Sequence, residues 1–150
     1  MSSETPKTPM RMRQKLILRI VGKPFVPFIL LYALYVQFHG DFGPGGGFQA
    51  GVMFAAAFIL HGLVRSLSQT REAAPSRIVE ILVAFGVILY TATGLLCMAK
   101  GGSFLEYNVL AQNPVSGQHY GIILVEAGVG ITVFAAMLAI FYKFALRGRK

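Results

Sequence analysis

The sequence predicts an all-α polytopic membrane protein, a bundle of four transmembrane helices with both termini in the cytoplasm. Three observations lead there. Four apolar segments, at 16–38, 48–67, 78–98 and 121–144, each reach the roughly 20 residues a helix needs to cross a bilayer. The composition is 55% hydrophobic and 13% charged, with a mean hydropathy of +0.61, outside the range of soluble domains. Finally, the cations fall on one side. Lys7, Arg11, Arg13, Lys15, Arg19 and Lys23 precede or enter the first span, Arg65, Arg71 and Arg77 flank the connection of the second and third, and Lys143, Arg147, Arg149 and Lys150 close the chain. The other side, residues 39–47 and 99–120, carries only Lys100. An excess of Lys and Arg marks cytoplasmic loops.

Residues 1–15, with Pro6 and Pro9, read as a basic cytoplasmic tail. The first apolar run resembles a signal peptide. It is read as a retained helix, because no small-residue cleavage site follows it and three further apolar segments do. Pro24 and Pro27 each remove a backbone donor there, so a kink or a distorted first turn and a half is expected. Lys23 is carried slightly into the membrane, from where it can snorkel back to the surface. The connection 68–76 is short and polar, and 145–150 form a second basic tail. All four runs are too long and too continuously apolar for the alternation of a membrane barrel. The 16–144 segment is one compact membrane domain, without repeats or low-complexity tracts.

A net charge of +8 would suit nucleic acid only if it lay on one face of a folded soluble domain. Here it lies at the ends of apolar segments, so it reports topology and no nucleic-acid partner is expected. Cys97 is the only cysteine, which excludes an internal disulfide and any CxxC pair; it reads as a small apolar helix residue. His39, His61 and His119 stand far apart, no HExxH spacing occurs and no serine sits in a nucleophile elbow. No metal, cofactor or enzymatic activity is therefore expected.

The most distinctive stretch is 39–48, crowded with Pro44, Gly45, Gly46 and Gly47. Residues 45–50 formally match GxGxxA, yet no strand precedes them, and no Lys-Ser/Thr follows to make a phosphate loop. The stretch reads as a rigid tight turn locking two helices. Gly47, Gly51 and Ala55 continue on one helical face, and Gly128, Thr132 and Ala136 form a similar stripe, both permitting close helix approach.

Ionisable groups inside membrane helices cost about 2.5 to 3.5 kcal/mol at the helix centre and need a partner or a water path. Two carboxylates qualify. Glu126 shares its zone with His39, Asp41 and His119, a set suited either to passing protons and cations or to anchoring the glycine turn. Glu80 lies at a depth similar to that of His61 and Lys23, and a Lys23–Glu80 ion pair beside His61 is expected. The six tyrosines read as interface belt or packing.

Three stretches are together similar to a known family: His39 with Pro44, Gly45, Gly46, Gly47 and Phe48; residues 86–105, with Gly86, Gly94, Gly101 and Gly102; and residues 119–130, from His119 through Glu126 and Gly128 to Gly130. They resemble the MnhB/MrpB family, the B-type subunits of Mrp sodium/proton antiporters. The resemblance implies a multi-pass subunit of the bacterial cytoplasmic membrane, working among large antiporter-like chains and other small membrane subunits that together carry sodium and protons. A homologous subunit of a complex I-like membrane-bound hydrogenase is the alternative. A self-sufficient four-helix exporter fits less well, because such exporters rely on a carboxylate in the first helix and 16–38 contains no Asp or Glu.

Overall fold

In the structure, a computed structural model, residues 9–40 and 43–147 are described, with their side chains from 20–40 and 43–146. The helices are α1 (Pro9–His39), α2 (Gly47–Val64), α3 (Leu67–Ala73), α4 (Ser76–Ala99) and α5 (Pro114–Arg147), with a 3₁₀ turn at Tyr107–Leu110. Four are long and apolar enough to cross a membrane: the Ile20–His39 part of α1, α2, α4 and the Pro114–Leu146 part of α5. No strand occurs among the described residues.

Several boundaries differ from the apolar runs. The second membrane helix stops at Val64, because the chain breaks at Arg65 (φ −96°, ψ −84°) and Ser66 is extended. The Ser66 hydroxyl then accepts from Gln69 N–H at 3.3 Å, an N-cap that starts α3 where a polar connection was expected. The last helix begins at Pro114, seven residues before the apolar run. Asn113 Oδ1 accepts from Val115 N–H at 3.0 Å, so Asn113 caps the helix and Pro114 occupies the position where a missing N–H costs nothing. The first helix runs through Pro24 and Pro27 without a break.

The helices pack in the spatial order α1, α2, α5, α4. The two central helices run parallel, in constant register. An ideal Cβ on Gly47 would overlap the Glu126 carbonyl oxygen, one on Gly51 would stand 2.5 Å from the Gly130 carbonyl oxygen, and one on Gly62 would meet Phe141 Cε1 at 3.3 Å. Each missing Cβ thus lets one backbone ride close to the other helix, the packing mode available when lipid removes the hydrophobic drive between helices. On the other side of α5, the antiparallel α4 approaches through Gly86, whose Cβ would lie 2.5 Å from the Gly128 carbonyl oxygen.

The loop between α4 and α5 seals that pair. Phe104 packs into the space left by Gly94, and Tyr107 into the space left by Gly121. Lys100 Nζ donates to the Leu110 carbonyl at 2.9 Å and Ser103 N–H to Glu106 Oε2 at 2.7 Å. Burial, with smaller contributions from Tyr90 and Cys97, raises the Tyr107 phenol above its ordinary pKa. At the end where α1 begins and α5 finishes, Ala74, Val79, Ala135, Leu138 and Tyr142 form the core. The Tyr142 hydroxyl lies 2.9 Å from the Ala74 carbonyl and 3.3 Å from that of Thr70, tying α5 to α3.

Replacing Gly47 with Ala should destabilise the chain by about 1 to 3 kcal/mol, the usual cost of overpacking, because its Cβ meets fixed backbone. Replacing Gly62 with Ala should cost less, since the Phe141 ring can yield. Thermal denaturation of the detergent-solubilised protein checks the ranking, and equal losses would refute the backbone contact at Gly47.

Candidate functional site

At the other end of the bundle, the chain leaves α1 at His39 and enters α2 at Gly47. Gly46 donates its N–H to the Val36 carbonyl at 3.2 Å, folding the turn back onto α1. Its φ of +109° and ψ of −178° lie in a region only glycine occupies readily. Gly46 is also the N-cap of α2, without a side chain to serve the first N–H groups.

The Glu126 carboxyl group enters this turn from α5. An ideal Cβ on Gly40 would stand 2.6 Å from Oε1 and 2.7 Å from Oε2, and one on Gly46 would stand 2.7 Å from Oε1. The carboxyl group therefore takes the place two side chains would fill. It faces the start of α2, where unsatisfied N–H groups and the helix dipole favour negative charge. Pro44 lies in the same turn, and Gly45 packs so closely on α1 that its Cβ would be 3.0 Å from the Val36 carbonyl oxygen.

The other candidates of this zone are His39, His119 and Asp41. The His39 ring stacks on Tyr35 with centroids 5.0 Å apart and borders Gly43, whose Cβ would lie 3.0 Å from Nε2. His119 is exposed and sits two helical turns before Glu126, about 10 Å along the axis. Asp41 lies outside the described residues. Among the described residues no three His, Cys, Asp or Glu side chains gather in a way that could hold a metal ion.

At the other end the expected Lys23–Glu80 ion pair is not what forms. Glu80 Oε1 lies 3.9 Å from Lys143 Nζ, both side chains being exposed, so the pair is weak. The reason is helix order: Lys23 rides on α1 and Glu80 on α4, at opposite flanks of the row. His61 does share a cleft with Lys23, but its Nδ1 bonds Thr70 Oγ1 at 2.8 Å. The buried Thr70 hydroxyl also lies 3.2 Å from the Ser66 carbonyl, so the imidazole is joined through Thr70 to the start of α3.

Sequence reasoning passed over Gly40, Gly130, Thr70 and the hydrogen bonds of Tyr142. Gly40 and Gly130 lay within stretches already singled out but were given no role there, whereas nothing local marks Thr70 as the partner of a histidine on another helix.

Fold and site together define a small polytopic membrane protein whose intramembrane carboxyl group closes a glycine turn between helices. Residues 17–139 match the family model described as a domain related to the MnhB subunit of the Na+/H+ antiporter. Over 127 residues the chain is 32% identical to proteins of Staphylococcus aureus strains Newman, JH1 and USA300, each named "Putative antiporter subunit mnhB2", covering 83% of this chain and 89% of theirs. The chain belongs to the MnhB family.

Gly40→Ala should destabilise the protein by about 1 to 3 kcal/mol through collision with the carboxyl group. Adding Glu126→Ala should restore part of that loss, a favourable coupling between the two sites. Thermal melts of the two single variants and the double variant give the coupling; strictly additive losses would mean that the carboxyl group is not in the turn.

Proposed function

We propose that this chain is an accessory membrane subunit of a multisubunit sodium/proton antiporter, a component of a transporter and not an enzyme. The family match over 17–139 carries this reading. The exposed apolar surface supports it: the candidate spans are only 11 to 33% buried within the chain itself, leaving wide helix faces for lipid and neighbouring subunits. Those neighbours are the large antiporter-like chains and other small membrane subunits of the complex. The cation distribution supports a multi-pass placement in the bacterial cytoplasmic membrane, with both termini in the cytoplasm.

Within that complex Glu126 anchors the 40–46 turn to α5. Its placement between Gly40 and Gly46 supports this anchoring role. Pro44, Gly45, Gly46, Gly47, Gly51 and Gly128 set the helix spacing around it.

Tagging the chain, extracting it in mild detergent and identifying the accompanying proteins should recover large antiporter-like subunits without iron–sulfur partners; recovery of the chain alone would overturn the reading. Glu126→Gln, which keeps the shape of the group, should leave assembly and most of the antiport in everted vesicles intact, whereas Glu126→Ala should lower the yield of complex. A fully assembled Glu126→Gln complex with little antiport would instead make Glu126 part of the ion path.

A further inference from the structure

At the end where α2 finishes, α1 and α2 meet where Gly22 lies against Val64; an ideal Cβ on Gly22 would stand 2.7 Å from Val64 Cγ2. That approach brings together Lys23 of α1 and Arg65, the residue that ends α2. Both line a cleft of about 420 Å³ completed by Ser66 and Gln69. Both also line an adjoining cleft of about 270 Å³ completed by Val26, Pro27, His61 and Val64. Among the described residues neither cation meets a carboxylate within ion-pair distance. Two like charges sharing one cleft repel each other unless an anion joins them.

The two clefts are ordered along the helix axes. From Lys23 to Pro27 on α1, and from Arg65 back to His61 on α2, the lining moves toward the middle of the spans and gains the apolar Val26, Pro27 and Val64 beside His61, whose Nδ1 is engaged by Thr70. In the other direction Ser66 and Gln69 make it polar. A soluble anion would match only the polar half. A molecule with a phosphate at one end and hydrocarbon at the other matches both.

We propose that this cleft is a binding site for an anionic phospholipid. The phosphate lies between Lys23 and Arg65, where the guanidinium offers a paired donor geometry and the ammonium a point charge. The acyl chain runs over Val26, Pro27 and Val64 toward the membrane centre. Basic clefts between membrane helices hold such headgroups for this reason.

The test uses the chain in its native assembly, purified through a tag, stripped of loosely held lipid and titrated separately with phosphatidylglycerol and phosphatidylcholine, with bound lipid read by native mass spectrometry. A basic residue near the surface contributes about fivefold in affinity for an anionic lipid. Lys23→Gln and Arg65→Gln should therefore each weaken one phosphatidylglycerol-binding event about fivefold, and the pair together about thirtyfold. Phosphatidylcholine binding should not change, and excess inorganic phosphate should not displace the bound lipid. Unchanged phosphatidylglycerol affinity in the double variant would overturn the proposal, as would displacement by inorganic phosphate, which would make this a soluble-anion site. A photoreactive side chain at position 26 separates the remaining case: adducts with phospholipid support the proposal, and adducts with a neighbouring protein chain refute it.

Discussion

The close approach of α2 to α5 is the constraint on which the bundle depends. The helices stand in a row, so α1 is joined to the rest mainly through α2, and α4 mainly through α5. Two antiparallel pairs therefore meet along one parallel seam. Parallel neighbours align their dipoles, which is electrostatically unfavourable, and no loop ties α2 directly to α5. Contact between backbones compensates: Gly47 rests on the Glu126 peptide and Gly51 on that of Gly130. The Glu126 carboxyl group at the start of α2 adds an interaction of favourable sign with that helix's dipole. One residue of α5 thus serves the seam twice, through its backbone and through its side chain.

The opposite end is held by directed hydrogen bonds. Arg65 ends α2, and α3 folds back so that Thr70 meets His61 while Tyr142 reaches the Thr70 and Ala74 carbonyls. The Thr70 carbonyl also accepts from Ala74 N–H, whereas a carbonyl past the last turn has no partner within its own helix and a buried phenol without an acceptor is costly; the bond from Tyr142 to the Ala74 carbonyl meets both needs. Between these fixed ends the faces of α1 and α4 remain apolar and exposed. Such a chain is suited to presenting membrane surface to other chains, as a subunit of a larger transporter must.

Much of this fold could be read from the residues, because a run of about 20 apolar side chains leaves few alternatives. Boundaries were harder. Leu67 prolongs the apolar run beyond the true end of α2, hiding the break at Arg65. The last helix extends outward from its apolar part because Asn113 and Pro114 form a capping pair, a local signal that hydropathy overlooks. The small-residue stripe at Gly47 and Gly51 was visible, but the atoms it meets on α5 were not, since spacing along one helix does not name its neighbour. The expected Lys23–Glu80 pair failed for the same reason: similar depth in the membrane brings two residues together only if their helices are adjacent, and α1 and α4 are not.

The most direct measurement is a side-chain-resolution cryo-electron microscopy map of the chain in its native assembly. The account predicts α2 and α5 as parallel neighbours, with no foreign helix between them, and Glu126 density running into the 40–46 turn. A partner helix separating α2 from α5, or Glu126 turned away toward another subunit, would contradict it.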